Sequence, residues 1–80
     1  MITNPSYNIA TAITASDTVD ITLLGTDAIY VGGAGVVPVV FLDGSVVNFT
    51  CIAGQVLPVK ARRINATNLT ATTLVALYRV

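Results

Sequence analysis

The side chains that could do covalent chemistry are few, and their spacing does not assemble them. Ser6, Ser16 and Ser45 are the hydroxyl candidates for a nucleophile, yet the chain has no histidine, and Lys60 is the one amine that could serve as their base. A serine nucleophile needs a base held within hydrogen-bond reach, and these positions follow no Ser–Lys pattern. The carboxylates are Asp17, Asp20, Asp27 and Asp43, with no glutamate, and Cys51 is the only cysteine. One thiol without histidine cannot complete a zinc ligand set, and paired acid–base work lacks its usual residues. The run Gly32-Gly33-Ala34-Gly35 follows a strand-like segment, as phosphate-cradling loops do. What comes next is Val36-Val37-Pro38, a strand signal, so the helix N-terminus that would hold a phosphate is missing. The chain therefore reads as non-enzymatic, with no cofactor and no metal.

Charge points to pairing within or between chains. Three arginines and one lysine balance four aspartates, so the net charge is zero and the basic footprint of a nucleic-acid binder is absent. The adjacent Arg62 and Arg63 interrupt an apolar alternation, and an arginine fork suits a carboxylate such as Asp17, Asp20 or Asp27, from the same chain or a neighbouring one. Three Asn-x-Thr triplets, at Asn48, Asn65 and Asn68, follow from a threonine-rich sequence with no basic secretory leader before them. Tyr7, Tyr30 and Tyr78 are amphipathic residues suited to a core or an interface.

The elements that must carry these residues are strands. Valine and threonine together exceed a quarter of the chain, and no long stretch keeps a 3.6-residue stripe. The expected fold is a single all-β domain over residues 1–80, a small antiparallel sandwich or barrel of six to seven short strands, with residues 1–6 as an extended arm. Strands are expected from Tyr7 to Ile13, Val19 to Leu24, Ala28 to Val31, Val36 to Leu42, Ser45 to Cys51, Val56 to Asn65 and Thr73 to Arg79. In Val19 to Leu24, Val19, Ile21 and Leu23 would share the buried face. Asp43-Gly44 predicts a two-residue hairpin turn. That turn pairs Leu42 with Ser45 and sends Val36, Pro38 and Val40 to the core. It leaves Val37, Val39 and Phe41 beside Val46 on an outer, apolar face that would be an interface, where a Val39→Asp change would weaken assembly more than folding. Pro38 should occupy an edge or a non-bonded position. A β-bulge at Arg62-Arg63 would return Ile64 to the core face, and Cys51 reads as a buried thiol.

Size turns this pattern into an expectation about assembly. With 80 residues, 54% hydrophobic content and a mean hydropathy of +0.79, the chain is too apolar for disorder. A globule of its mass keeps roughly 4,600 Å² of surface and buries only about 60% of what the unfolded chain exposes. A monomer would then show a large apolar patch, and such patches mark protein contacts. Ala28 to Leu42, the longest apolar stretch, is too short and too broken by glycine and proline to span a bilayer as a helix. The expected partner is thus the chain itself, with no membrane and no nucleic acid. Arg62, Arg63, Asp17, Asp20, Tyr30 and Tyr78 join the apolar strand faces as candidate interface residues.

Several segments, in their order and spacing, resemble a known family. They are Ile13-Thr14-Ala15-Ser16-Asp17, Ala28 to Gly35, Leu57 to Ile64, and the Thr-rich stretch from Ala66-Thr67 through Ala71-Thr72 to Tyr78. Together they resemble the spike-base family, small structural proteins of tailed bacteriophages and gene transfer agents, over residues 10 to 78. Asn68 and Thr73 stand where the family's Ala-Thr-Gly repeat carries glycine. The resemblance implies a virion protein on the outer capsid surface, acting as a decoration or cement protein or as the base of a head spike. Its partners would be the major capsid protein and a spike or fibre protein. A trimer and a pentamer both suit an icosahedral shell. A tail or baseplate adaptor is the alternative, as is a receptor- or carbohydrate-binding module using Tyr30 and Tyr78.

Overall fold

A computed structural model describes residues 7–22 and 25–79. The expected arm at residues 1–6, together with Leu23 and Leu24 of an expected strand, lies outside the described residues. The strands are β1 (Ile9–Ala12), β2 (Ala28–Gly33), β3 (Gly35–Phe41), β4 (Val46–Cys51), β5 (Gln55–Leu57), β6 (Ala61–Ile64) and β7 (Thr72–Tyr78). They pair antiparallel into two sheets, one ordered β1-β7-β2-β5 and the other β4-β3-β6. The all-β expectation holds, and among the described residues no helix is long and apolar enough to cross a membrane.

Period-2 alternation puts one face of each sheet into a shared core. The first sheet contributes Ile29, Val31, Leu57 and Leu74, and the second contributes Val37, Val39, Cys51, Ala61 and Ile64. Each fully buried valine or isoleucine here is worth about 1.5–3 kcal/mol over leaving it in water. Phe41 and Phe49 close one side of this layer edge to face, with ring centres 6.3 Å apart. Cys51 is buried and unpaired, and burial pushes its thiol pKa up.

The β3–β4 hairpin corrects the sequence reading by one residue. Phe41, not Leu42, pairs across the turn: its N–H donates to the Ser45 carbonyl at 2.9 Å, and the Gly44 N–H donates to the Phe41 carbonyl at 3.0 Å. Gly44 sits at φ +91° while Asp43 does not share a positive φ, so the loop is three residues long with a left-handed glycine at its end. The Asp43 carboxylate stabilises this form by accepting from both the N–H and the hydroxyl of Ser45. A shift of one residue exchanges the two faces of β3 relative to β4, whose Phe49 and Cys51 stay on the core side. Val37 and Val39 therefore lie in the core, fully buried, and Phe41 packs against it, so these three are not an outer interface face. Pro38 and Val40 are buried on the opposite side of β3.

Other elements follow expectation more closely. Pro38 lies not at an edge but in the central strand, at a non-bonded position toward β4; toward β6 its carbonyl accepts from the Asn65 N–H at 3.1 Å, and its missing N–H cannot return that bond, one residue past the end of β6. The expected bulge is present: Val40 pairs with Arg63 and Phe41 with Ala61, leaving Arg62 as the extra residue, and both Ala61 and Ile64 are fully buried. The long strand expected from Val56 to Asn65 is instead β5 and β6. They are separated by residues 58–60, where the buried Thr26 hydroxyl donates to the Val59 carbonyl and accepts from the Ala61 N–H. Residues 16–22 are not a strand; Val19 is 66% exposed, and the segment instead straps the outer edge of β6 through Ser16 N–H to Ile64 and Ile21 N–H to Arg62. A turn that uses the Ser16 hydroxyl to accept from the Thr18 and Val19 N–H groups replaces a ladder there.

Tight backbone approaches explain the glycine run without a ligand. A Cβ on Gly35, at φ +151°, would lie 2.5 Å from the Ala71 nitrogen and 2.6 Å from the Thr70 carbonyl carbon. Among the described non-glycine residues only Asn68 (φ 71°) and Thr73 (φ 55°) take the left-handed region.

Two stability predictions follow. Val39→Asp buries a carboxylate with no partner and is expected to cost more than about 4 kcal/mol, leaving the chain largely unfolded by circular dichroism; a folded variant with a normal melting curve would refute this placement of Val39. Thr73→Gly removes a left-handed β-branched residue, a strain of about 1–2 kcal/mol, against a glycine entropy cost of about 0.5–1 kcal/mol. Urea unfolding should show Thr73→Gly equal to or slightly more stable than the parent, and a loss above about 1 kcal/mol would contradict the strain argument.

Candidate interaction surfaces

Three surfaces come from these elements. The first is the outer face of the four-stranded sheet. Register places Ala10 and Ala12 of β1, Val75 and Leu77 of β7, Ala28 and Tyr30 of β2 and Val56 of β5 on the side away from the core. No charged side chain stands among them, and Tyr30 and Val56 are 37% and 43% exposed. Tyr78 pairs with Ile9 and falls on the other side of the same sheet, so Tyr30 and Tyr78 do not converge into an aromatic platform.

The second surface runs along β4, an edge strand. Leu42, Val46, Val47 and Ile52, on the strand and at its two ends, are 45%, 50%, 43% and 71% exposed. Beside it an open groove of about 510 Å³ is lined by Phe41, Leu42, Asp43, Ser45, Val47 and Lys60. A neighbouring hollow of about 430 Å³ lies among Ile9, Asp27, Lys60, Tyr78 and Arg79. Lys60 separates the two and pairs with Asp27 at 2.9 Å. Of the residues singled out from sequence, Val46, Phe41 and Tyr78 reach these sites. Leu42, Val47, Ile52 and Val56 were missed: Val47 was expected on the core side with Phe49 and Cys51, and it does lie on that side of β4, but at the open end of the strand where the opposing sheet does not cover it.

The third is a polar strap. Arg63 Nη1 donates to Asp20 at 3.1 Å, and Arg62 Nε lies 3.9 Å from the same carboxylate, so both arginines have an intrachain partner. The Arg62 Nε is buried without a hydrogen bond. Asp17 takes no arginine; it accepts from the Thr67 N–H at 2.9 Å and the Thr67 hydroxyl at 2.6 Å, tying the strap to the β6–β7 loop. Asp27 accepts from the Arg79 N–H at 2.6 Å and from Lys60. Asp17, Asp27 and Asp43 are held below the usual aspartate range. The Thr67 bonds do so for Asp17, the Arg79 N–H and then Lys60 for Asp27, and the Ser45 bonds for Asp43. Among the described residues no three His, Cys, Asp or Glu side chains converge on a metal position.

Neither a protein-family model nor a curated protein sequence matches this chain. A solved structure does: a chain in the capsid of a native gene transfer agent particle computed with C5 symmetry. It is 32% identical over 90% of this chain and 83% of that one, with a TM-score of 0.82. The chain belongs to that capsid chain's family. The family is one of structural proteins of phage-like particles, and the apolar face and edge are the surfaces such an assembly has to account for.

The lowered aspartates make stability depend on pH with a definite sign. A carboxylate whose pKa falls on folding adds stability that is complete above its unfolded value, about 4, and is lost as pH drops through the folded value. The melting temperature should therefore be flat from pH 7 to about 5 and fall below about pH 4. Asp17→Asn should blunt that fall, and an acid limb of unchanged steepness in the variant would remove Asp17 from the account.

Proposed function

We propose that this chain is a non-enzymatic virion protein that binds the outer capsid surface, either as a homo-oligomeric decoration or cement protein or as the base of a head spike. The major capsid protein is its partner in both cases, and a spike or fibre protein is a further partner in the second. The observation that carries this reading is the likeness to a gene transfer agent capsid chain over nearly the whole length.

The physical surfaces support it. A flat sheet face without charge can lie against a shell without stranding an ion in a dry interface, where an unpaired charge is costly. The exposed valines of β4 lie on a different side of the molecule, so one contact does not cover both. A chain that sits on a shell and beside its own copies would bury the two together. The four aspartates already have partners within the chain, which leaves apolar surface and backbone edges as the main source of affinity.

Electron microscopy of particles carrying a tagged copy tests the placement. Density on the outer shell, absent from particles made without the chain, is the expected result. Density confined to the tail, the tail tube or the head interior would overturn the outer-surface role and favour a tail or baseplate adaptor.

A further inference from the structure

The sandwich has two flanks, and they are finished differently. On one flank residues 16–22 cover β6, through Ser16 N–H to Ile64 and Ile21 N–H to Arg62, so among the described residues β1 is left as the open edge there. On the other flank the short loop of residues 52–54 leads from β4 to β5, which places both of those edge strands together. The open edges β1 and β4 therefore face opposite ways.

The backbone of β4 is unusually unprotected. Phe41 and Ser45 form a bonded position, and the alternation of an antiparallel ladder makes Val47, Phe49 and Cys51 the residues bonded to β3. The N–H and C=O groups of Val46, Asn48 and Thr50 then point away from the sheet. Proteins normally guard such an edge with lysine, proline, a bulge or a covering loop. Val46–Cys51 has none of the side-chain guards, and residues 44–59 contain no charge at all. Val46 and Val47 flank the open backbone on its two faces, both exposed. β5, at Gln55–Leu57, is only three residues long and offers much less to a partner strand.

The complementary strand exists in every copy of the chain. Ile13 N–H donates to Leu74 C=O, so the β1–β7 register makes Ile9 and Thr11 the bonded positions and points Ala10 and Ala12 outward. The Ile13 bond extends the ladder one residue beyond Ile9–Ala12, and Asn8 N–H also donates to Tyr78 C=O at the other end, so the edge is close in length to Val46–Cys51. This edge is also uncharged, and its residues are exposed throughout. Small alanines next to the exposed valines leave room for close approach.

We propose that β4 of one copy takes β1 of a second copy as an added strand, a head-to-tail contact between opposite flanks. Such a contact uses two different patches, so repeating it closes a ring or continues as a chain of subunits. The proposal deepens the homo-oligomeric reading above and rests on it.

Two proline substitutions test it, because each removes an outward N–H that the fold itself does not use. Asn48→Pro blocks β4 and keeps β1; Ala10→Pro blocks β1 and keeps β4. By sedimentation, the parent chain should associate, and each variant alone should be at least tenfold weaker while keeping the parent's circular dichroism and melting curve. Mixed in equal amounts, the two variants should form a one-to-one pair through the single contact still open to them. If either variant fails to fold, Val46→Lys, which places a lysine at the exposed edge, substitutes for Asn48→Pro, and Ala12→Pro for Ala10→Pro. Folded variants that associate like the parent would overturn the edge contact and leave the oligomer reading intact. Ala10→Pro alone dimerising while Asn48→Pro does not would mean that β4 pairs with itself, which also overturns it. A parent chain that stays single at millimolar concentration would remove the oligomer reading along with it. Variants that bind isolated shells less well, from a parent that is a monomer, would make the occupant a capsid strand and not a second copy.

Discussion

The core of this protein depends on the register of one strand. β3 is hydrogen-bonded on both sides, to β4 and to β6, and it delivers Val37 and Val39 to the layer between the sheets. Its register is pinned at three places. Gly44 closes a three-residue loop that only a residue tolerating positive φ can end, Asp43 ties that loop to Ser45, and the bulge at Arg62 lets β6 present both Ala61 and Ile64 inward. Moving any of these by one residue would exchange a valine face for a face of Pro38 and Val40. The opposing sheet, with Ile29, Val31 and Leu74, would then meet the wrong partners.

That core is small, and the rest of the chain is organised by what it cannot hide. The total surface is 4771 Å², close to the value for a compact globule of this mass, so the apolar exposure does not come from loose packing. It comes from composition. Polar contacts are used locally: each of Asp17, Asp20, Asp27 and Asp43 has a partner in its own chain, and these partners clamp loops to strands. With the aspartates occupied, the surfaces left for recognition are an uncharged sheet face and unprotected edges. Of the two arginine partners the sequence left open, within the chain or across a subunit boundary, the structure shows Asp20 of the same chain for Arg62 and Arg63.

Two left-handed residues are accommodated by their neighbours. Asn68 and Thr73 take a backbone conformation that suits glycine. Thr73 faces Gly32, whose missing side chain makes room for it, since a Cβ there would come within 2.8 Å of the Thr73 Cβ. The room for Thr73 is thus supplied by the neighbouring strand β2.

Residue types alone determined much: β-branched content set the fold class, the break at Arg62-Arg63 located a bulge, and the absence of histidine and glutamate left little for catalysis. The ends of most strands were also legible within a residue or two, because alternation and turn residues are local signals. Which side of the β3–β4 hairpin is buried was not legible, since Asp-Gly is compatible with loops of two or three residues and both faces of β3 are apolar. Nor was the strap over β6, whose alternation in Val19 to Thr22 is as good as a strand's. Those choices were made by tertiary structure, because only the opposing sheet tells one apolar face from another, and only a neighbouring backbone decides whether an extended segment finds a ladder.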